Sequence, residues 1–311
     1  MMWVAWRLQR TETLVALLVL ALVAVLLVPT GVSMAHAYRH DGIGSCLSAN
    51  PGFACANRIG AFQAQYQTLN LVTNWFTLLP GVLGVLLAAP FILDLEHGTY
   101  RLAWTQSITR RRWLFVKLGL AVLAVIVTNE LLSLLIGWWR TPLTHVTGRL
   151  DSGTYDTTGI VAIGYGLFAL GLALALGALW RRSAVSLTVG FVGYFAVRII
   201  DEYWLRGKLL SPLHAVWHGA QAPGYLASAS ILSQTVTVNG RVVESNSSSG
   251  GVLGAHSQLA APGSGQHAVF HVTYQPASFF WTLQIRETLL FTAVGAALLL
   301  FAAWWTYRRA A

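Results

Sequence analysis

Six stretches of apolar residues constrain this chain more than any other feature of its sequence. A helix needs roughly 20 apolar residues to cross the hydrocarbon core of a bilayer, which is about 30 Å thick. Within lipid the backbone has no water to bond, so a spanning segment forms either a helix or a strand of a closed barrel. The six stretches lack the alternation that is typical of barrel strands. They therefore predict six membrane helices, at Thr13 to Met34, Val72 to Leu93, Leu114 to Trp139, Thr158 to Trp180, Ala184 to Trp204 and Trp281 to Trp305.

Composition supports the same class, an all-α polytopic membrane protein. Only 10% of the residues are charged and the mean hydropathy is +0.59, whereas soluble domains carry about 25% charged residues. The net charge of +9 does not indicate nucleic-acid binding, because the charged residues lie almost entirely between the apolar stretches. Basic residues are densest in the short connections that share a side with the N-terminus. The positive-inside rule therefore predicts that both termini are cytoplasmic.

The predicted helices divide the chain into three parts. Residues 1–204 hold helices 1–5 and a polar cytoplasmic segment at 94–112, residues 205–280 form an extracellular insertion, and residues 281–311 hold helix 6 and a cytoplasmic tail. The first apolar stretch has a rival interpretation, since Arg7, Arg10 and Ala35-His36-Ala37 resemble a cleaved secretory signal. Its apolar run is long for a signal, so we expect a retained membrane helix.

The insertion carries the pattern of a small β structure. Asn239-Gly240 separates two short alternating runs, which is typical of a type I′ hairpin. Residues 267–274 alternate towards a third strand, and residues 245–266 are rich in Ser and Gly, as flexible loops are. The apolar stretch 209–226 allows a helix that lies on the outer leaflet. We therefore expect a small β-containing insertion between helices 5 and 6.

Both cysteines, Cys46 and Cys55, lie in the first outer loop. This is the oxidising side of the membrane, and eight intervening residues are enough to close a loop. A disulfide between them is therefore the expected state. Two free thiols are the alternative, because the sequence does not fix the separation of the two Cα atoms.

The chain carries no motif for catalysis. It has no phosphate-binding G-x-x-x-x-G-K-[ST] sequence, no zinc-binding H-E-x-x-H and no G-x-S-x-G nucleophile elbow. His214 and His218 have the spacing of a helical metal pair, but no acidic residue or third ligand accompanies them. We therefore expect a protein that is not an enzyme, with no metal or cofactor of its own.

Two charged residues fall inside predicted spans, where charges are costly. Glu130 lies in helix 3 and Arg198 in helix 5, and the rise of 1.5 Å per residue puts both at a similar depth in the outer half. We predict an ion pair between Glu130 and Arg198. It either locks the packing of the helices or lines a substrate path, and independent snorkelling of the two side chains is a third possibility. Asp201, Glu202 and Glu287 lie near outer helix ends, where charges are ordinary.

The segment that follows helix 2 is neither apolar nor loop-like. It carries Asp94 and Glu96, then Gly98-Thr99, an aromatic-rich turn, and three arginines at 110–112. Thr99 is a good cap for a short helix. Arginines at a helix N-terminus oppose the helix dipole. They are explained equally well as a topology signal or as a contact with anionic headgroups or an acidic partner.

Residues 90–118 resemble the region between the second and third spans of ABC-2 type transporter permeases, particularly an actinobacterial group. The shared pattern is roughly E-x-G-T-x-R-L-A-W-T-Q-S-[VI]-[ST]-R-x-x-W-x-x-x-K-L. Residues 274–287, with Tyr274-Gln275-Pro276, Gln284 and Glu287, resemble the entry to the last span of the same group. Residues 205–266 carry no diagnostic match. Leu93-Asp94 stands where the group often has Arg-Glu.

The resemblance implies a half-transporter in the plasma membrane of a bacterium. Two permeases, identical or homologous, would work with two copies of a separate ATP-binding subunit that holds ATP and Mg²⁺. Residues 94–112, hereafter the coupling segment, would dock into that subunit and couple ATP hydrolysis to efflux. By this resemblance the docking residues are Glu96, Gly98, Thr99, Arg101, Trp104, Thr105, Gln106 and Ser107.

Two other functions stay open. An ion-coupled secondary transporter would need buried carboxylates on several spans near the midplane, and the sequence offers essentially Glu130 alone. An ABC-type complex that passes a mechanical signal to an outer domain is compatible with the insertion after helix 5. The spans allow a drug, a peptide or a lipid-like cargo.

Overall fold

The computed structural model describes residues 2–48, 53–99, 109–218, 226, 229–238, 241–246, 251–252 and 268–309. Six helical stretches in these ranges are long and apolar enough to cross a membrane, so the predicted all-α polytopic fold is confirmed. They are Leu14–His40, Asn57–His97, Arg110–Thr147, Val161–Trp180, Ser183–Leu209 and Ala277–Arg308.

The first three spans continue beyond the predicted apolar stretches. Helix α1 covers Met2–His40, and a short α2 (Ile43–Ser48) is joined to α3 (Phe53–Asn74) by a disulfide between Cys46 and Cys55. Apolar side chains of α3 recur at helical spacing and are buried, at Ile59, Phe62 and Tyr66. These helices therefore form a disulfide-linked layer where the sequence suggested a loop.

The second span is interrupted at its centre. A 3₁₀ turn at Trp75–Leu78 separates α3 from α4 (Leu79–His97). Pro80 lies in the first turn of α4, where its missing N–H costs no helical hydrogen bond. The proline therefore starts a new helix after the interruption instead of kinking a continuous one.

The remaining helices build the centre of the bundle. They are α5 (Arg110–Thr147), a single turn α6 (Ser152–Tyr155), α7 (Val161–Trp180), α8 (Ser183–Ile200), α9 (Arg206–Leu209) and α10 (Phe280–Arg309). A π-helical turn at Asp201–Leu205 joins α8 to α9. Helix α7 is buried along most of its length and packs against α4, α5, α8 and α10.

Small residues allow α7 to sit this close to its neighbours. A Cβ atom on Gly171 would lie 2.6 Å from the backbone oxygen of Gly295 in α10, so no side chain fits there. A Cβ on Gly190 of α8 would lie 3.2 Å from the Cα of Ala173. Close backbone approach of this kind supplies much of the packing energy of membrane helices.

A five-stranded antiparallel sheet lies between α9 and α10 in the chain. Its strands are β1 (Leu213–His218), β2 (Ser230–Val238), β3 (Arg241–Asn246), β4 (Gly251–Val252) and β5 (Ala268–Gln275). The order is β1-β5-β2-β3, and β4 pairs with β2. The predicted small β structure is therefore confirmed, although the turn at 239–240 lies outside the described residues.

One part of the insertion differs from the expectation. Within the apolar stretch that allowed an interfacial helix, residues 213–218 form β1 instead, which pairs with β5. Trp217 of β1 stacks on Phe270 of β5 with ring centroids 5.0 Å apart. An apolar run with aromatic residues fits a half-buried strand as well as a helix, and this long-range stacking decides in favour of the strand.

Candidate functional site

Two groups of polar residues lie at opposite ends of the bundle. The side of the membrane that carries the coupling segment is hereafter the link side, and the opposite side is the sheet side. The structure describes the coupling segment at 94–99 and 109–112. Five of its predicted docking residues lie outside the described residues, namely Arg101, Trp104, Thr105, Gln106 and Ser107.

The start of the coupling segment is fixed by its own backbone. Helix α4 ends at His97, and Gly98 follows with φ of +69°, a left-handed conformation that glycine adopts without strain. The hydroxyl of Thr99 then donates a hydrogen bond of 2.9 Å to the Asp94 carboxylate. Gly98 and Thr99 therefore turn the chain sharply out of α4.

An ion pair joins this turn to the next span. Asp94 pairs with Lys117 of α5, and the Lys117 side chain is only 8% exposed. The Lys117 ammonium also lies 5.4 Å from the ring centroid of Trp113, which in turn contacts Phe91 of α4 with ring centroids 5.7 Å apart. The end of α4 and the start of α5 are therefore held together by both charge and aromatic contacts.

Glu96 joins the same turn to the fifth span. Its carboxylate accepts a hydrogen bond of 2.8 Å from the backbone N–H of Ser183, the first residue of α8. A carboxylate at a helix N-terminus bonds an otherwise unpaired N–H and interacts favourably with the helix dipole. Glu96, predicted as a docking residue, thus also caps a transmembrane helix within its own chain.

The sheet side holds a buried network of five charged residues, hereafter the charge cluster. Arg198 of α8 lies 2.7 Å from Asp156 and 3.6 Å from Glu287 of α10, and it also pairs with Asp201. Arg206 lies 3.3 Å from Glu287 and 3.7 Å from Asp201, and it pairs with Asp156. The cluster therefore joins α8, α9, α10 and the connection before α7.

Burial makes these charges expensive. The side chains of Asp156, Asp201 and Glu287 are at most 2% exposed, and that of Arg198 is 7% exposed. Charges taken out of water are tolerated when paired and hydrogen-bonded. In the cluster, three carboxyl groups therefore face two guanidinium groups.

Two tyrosines complete the cluster. Tyr155 donates a hydrogen bond of 2.8 Å to Glu287, and Tyr165 donates to the other oxygen of the same carboxylate. Burial, with the Glu287 carboxylate beside it, raises the pKa of Tyr155 far above its usual range. The phenol therefore stays protonated and donates at every physiological pH.

Gln284 forms a second connection between α10 and the start of α7. Its side-chain oxygen accepts from the backbone N–H groups of Ile160 and Val161, at 3.0 and 2.9 Å. Its amide nitrogen donates to the backbone oxygens of Tyr155 and Thr158, at 2.9 and 3.0 Å. One side chain thus satisfies four backbone groups that the irregular chain before α7 leaves open.

The predicted ion pair between Glu130 and Arg198 is wrong. Arg198 is paired with the acidic residues of the charge cluster, and Glu130 has no ion pair among the described residues. Helices α5 and α8 both pack against α7. Asn129, next to Glu130, is the residue that faces α7. Any side chain at Gly166 of α7 would collide with it. Counting residues along the helices placed Glu130 and Arg198 at a similar depth in the membrane. In the folded chain, however, they lie on different faces of the bundle.

Two of the acidic residues that pair with Arg198, Asp201 and Glu287, were interpreted from the sequence as ordinary helix-end charges. Two signals pointed to them. Asp201 follows Arg198 at the i, i+3 spacing of helical neighbours. Gln284 and Glu287 belong to the second segment that resembles ABC-2 permeases. Within the described residues, no group of His, Cys, Asp and Glu side chains is arranged to hold a metal ion.

The fold is that of a multi-pass membrane protein, with a link-side segment bonded to three of the membrane helices and a buried charge cluster on the sheet side. A family model described as ABC-2 membrane transporter related matches residues 17–206, more than half of the chain. The chain belongs to this family and is a permease subunit of an ABC transporter, a component that is generally non-catalytic. Membership implies an ABC ATP-binding partner. Searches of curated proteins and of solved structures gave no match.

Proposed function

We propose that this permease subunit couples ATP hydrolysis by a separate ATP-binding subunit to the efflux of a substrate. In this proposal the link side is cytoplasmic, the sheet side is extracellular, and the membrane is the plasma membrane of a bacterium. ATP and Mg²⁺ are bound by the partner, and two permease subunits, identical or homologous, form the pathway. The observation that carries the proposal is the bonding of the coupling segment to three transmembrane helices.

Through these bonds, a docked partner that moves the coupling segment also moves the transmembrane helices. A displacement of the coupling segment acts on α4 directly, on α5 through Asp94–Lys117, and on α8 through the contact between Glu96 and Ser183. Helix α8 carries Arg198 fifteen residues further on, about 22 Å along the axis at 1.5 Å per residue. The same rigid helix therefore connects the coupling segment to the charge cluster.

In this mechanism the charge cluster closes the sheet side. It ties the ends of α8 and α10 to the chain before α7, and those ends have to separate for a path between them to open. A packed network of ion pairs favours discrete arrangements over gradual deformation, as switching elements do. Movement of α8 would break some pairs with Asp156 and Glu287 and form others.

Docking is tested by co-purification of this chain with a co-expressed ABC ATP-binding subunit. The double charge reversal Glu96→Arg with Arg101→Glu is expected to abolish co-purification. The matched control is Arg39→Glu with Asp41→Arg, a reversal of two polar residues at the sheet-side end of α1. Binding that survives the first reversal, or is lost equally in the control, contradicts the docking assignment.

A second function is favoured by the way the sheet is attached. Arg286 of α10 donates a hydrogen bond of 2.6 Å to the backbone oxygen of Leu209, and β5 runs through a single 3₁₀ turn into α10. Movement of α10 would thus reach the sheet, as an ABC-type mechanical signal requires. Deletion of residues 227–266 separates the two functions, because efflux would survive it and signalling would not.

A further inference from the structure

Arg140 lies near the sheet-side end of α5, and its side chain is only 1% exposed. One of its terminal nitrogens donates hydrogen bonds to Thr73 and Asn74, at 3.0 and 2.8 Å. The other donates a bond of 3.0 Å to Thr154 and lies 3.5 Å from the Asp151 carboxylate. A single buried side chain therefore joins the end of α3, the end of α5 and the single turn α6.

The backbone of α6 lies directly on this contact. A Cβ atom on Gly153 would overlap the side-chain oxygen of Asn74, so no larger residue fits there. Arg140 forms one ion pair among the described residues, with Asp151, whereas the two arginines of the charge cluster share three carboxylates. The guanidinium of Arg140 thus has no second carboxylate to which it can move. The contact holds α3, α5 and α6 in one arrangement.

Beyond the 3₁₀ turn at Trp75–Leu78, α4 is packed tightly on α7 and α8. A Cβ atom on Gly81 would overlap the ring of Tyr194 in α8, and a Cβ on Gly84 would overlap the backbone oxygen of Gly166 in α7. Close backbone approach of this kind holds membrane helices together. The turn therefore separates α3, which is fixed to α5 and α6, from α4, which is packed on α7 and α8.

The turn itself has little support from packing. None of its four residues is buried, and Trp75 is 72% exposed. A 3₁₀ stretch within a long helix often marks a hinge, because its hydrogen-bond geometry is poorer than that of an α-helix. With close packing on both sides, residues 75–78 are the place where the second span can change direction.

The coupling segment lies at the other end of α4. The helix covers 19 residues from the turn to the coupling segment, about 28 Å at 1.5 Å per residue. A displacement of the coupling segment therefore tilts α4 about its sheet-side end. Asp156, which follows α6, pairs with Arg198 of α8 in the charge cluster. A fixed α6 thus gives the cluster a frame against which α8 moves.

We propose that residues 75–78 are a hinge of the transport cycle and that Arg140 is its positioning residue. In this role Arg140 holds α3 and α6 still while α4 and α8 move with the coupling segment. The inference rests on the proposed function, since it assigns how the movement is divided within the chain. Without the bonds to Asn74 and Thr154, α3 and α6 follow α4, and the charge cluster keeps its pairs instead of exchanging them.

Distances between spin labels on the purified full chain test the hinge without a partner. Labels on cysteines introduced at Gln67 and Val192 span the turn, and labels at Gln67 and Thr141 span the Arg140 contact. All three positions are exposed, and the native cysteines are held in a disulfide. Double electron–electron resonance is expected to give a broad distance distribution for the first pair and a narrow one for the second. Equal widths in the two pairs overturn the hinge.

The variant Arg140→Gln tests the positioning role. It is expected to broaden the Gln67–Thr141 distribution, whereas the control Arg149→Gln, at an exposed arginine of the connection after α5, leaves it narrow. Thr154→Ala removes a single bond, is expected to broaden the distribution less, and supplies the same comparison if Arg140→Gln does not fold. Thermal unfolding checks that each variant is folded. An unchanged distribution in a folded Arg140→Gln or Thr154→Ala variant overturns the role of Arg140.

The transporter assembled with a co-expressed ABC ATP-binding subunit gives a readout that a merely structural role would not change. ATP is expected to shift the Gln67–Val192 distance and to leave the Gln67–Thr141 distance unchanged. Arg140→Gln is expected to reduce that shift severalfold at an unchanged rate of ATP hydrolysis. Hydrolysis without a shift, or with equal shifts in both pairs, overturns the proposal. Failure to assemble or to hydrolyse ATP contradicts the proposed function alone, because the isolated chain still decides whether the turn is a hinge.

Discussion

Replacing Arg198 with methionine removes one of the two guanidinium groups from the charge cluster. Asp156, Asp201 and Glu287 then share Arg206 alone, so the cluster keeps three acidic groups and only one basic group. Removing one partner of a buried ion pair typically costs about 3–5 kcal/mol, because the charge left behind is uncompensated. We expect Arg198→Met to lose stability in this range.

Removing an acidic group gives the matched comparison. Asp201→Asn keeps an oxygen for the contact with Arg198 and leaves two carboxyl groups for the two guanidinium groups. We expect it to cost less than about 1 kcal/mol, the usual scale of a neutral hydrogen bond. Combined with Arg198→Met, it is expected to recover part of the loss, since residues in one ionic network are coupled.

Thermal unfolding of the purified chain in detergent is the assay. One kcal/mol corresponds to about 2–4 °C in domains of 150–250 residues, so Arg198→Met is expected to lower Tm by roughly 6–20 °C. Arg39→Met, at an exposed arginine on the same side of the bundle, is the control and is expected to leave Tm nearly unchanged. If Asp201→Asn lowers Tm as much as Arg198→Met does, the argument from charge balance is refuted.

Three further predictions concern other parts of the fold. Glu96→Ala is expected to keep the fold but to reduce transport-coupled ATP hydrolysis severalfold in the assembled transporter, because α8 loses its bond to the coupling segment; unchanged coupling would contradict the proposed path. Gly171→Ala is expected to lower Tm by several degrees, whereas Gly119→Ala, which meets open space, is expected to raise it slightly; similar effects would exclude tight packing as the cause. Replacing Cys46 and Cys55 by serine is expected to cost about 2–3 kcal/mol for a loop of this length, measured as Tm against the oxidised chain, and an unchanged Tm would contradict it.

Hydrophobicity alone was enough to predict the spans, for a physical reason. Lipid forbids unpaired backbone groups, so a continuous apolar stretch of this length has to be a helix or a barrel strand. The ends were less accurate, because helices also continue through polar residues that one buried face supports, as Ile59, Phe62 and Tyr66 do in α3. The strand β1 was missed because its apolar residues suit either a helix or a sheet.

The charge cluster could not be predicted from the hydrophobicity of the sequence. Depth along a helix follows from counting residues, but the direction in which a side chain points depends on how neighbouring helices are rotated. Counting gave Arg198 and Glu130 the same depth. Their helices, α8 and α5, nevertheless each pack on α7. Asp156 lies outside the apolar stretches, in a connection whose position becomes defined only when Gln284 fixes the start of α7.

The irregular turns follow from the same packing. A continuous α-helix from Ser183 would not need a π turn, and the turn at Asp201–Leu205 carries the chain from Arg198 to Arg206 so that both guanidinium groups reach Asp156 and Glu287. Departing from ideal helix geometry costs hydrogen-bond energy, and the ion pairs on either side of the turn offset that cost. A change that breaks those pairs therefore also favours regular helix at the turn. Movement of α8 would then alter the closure of the sheet side.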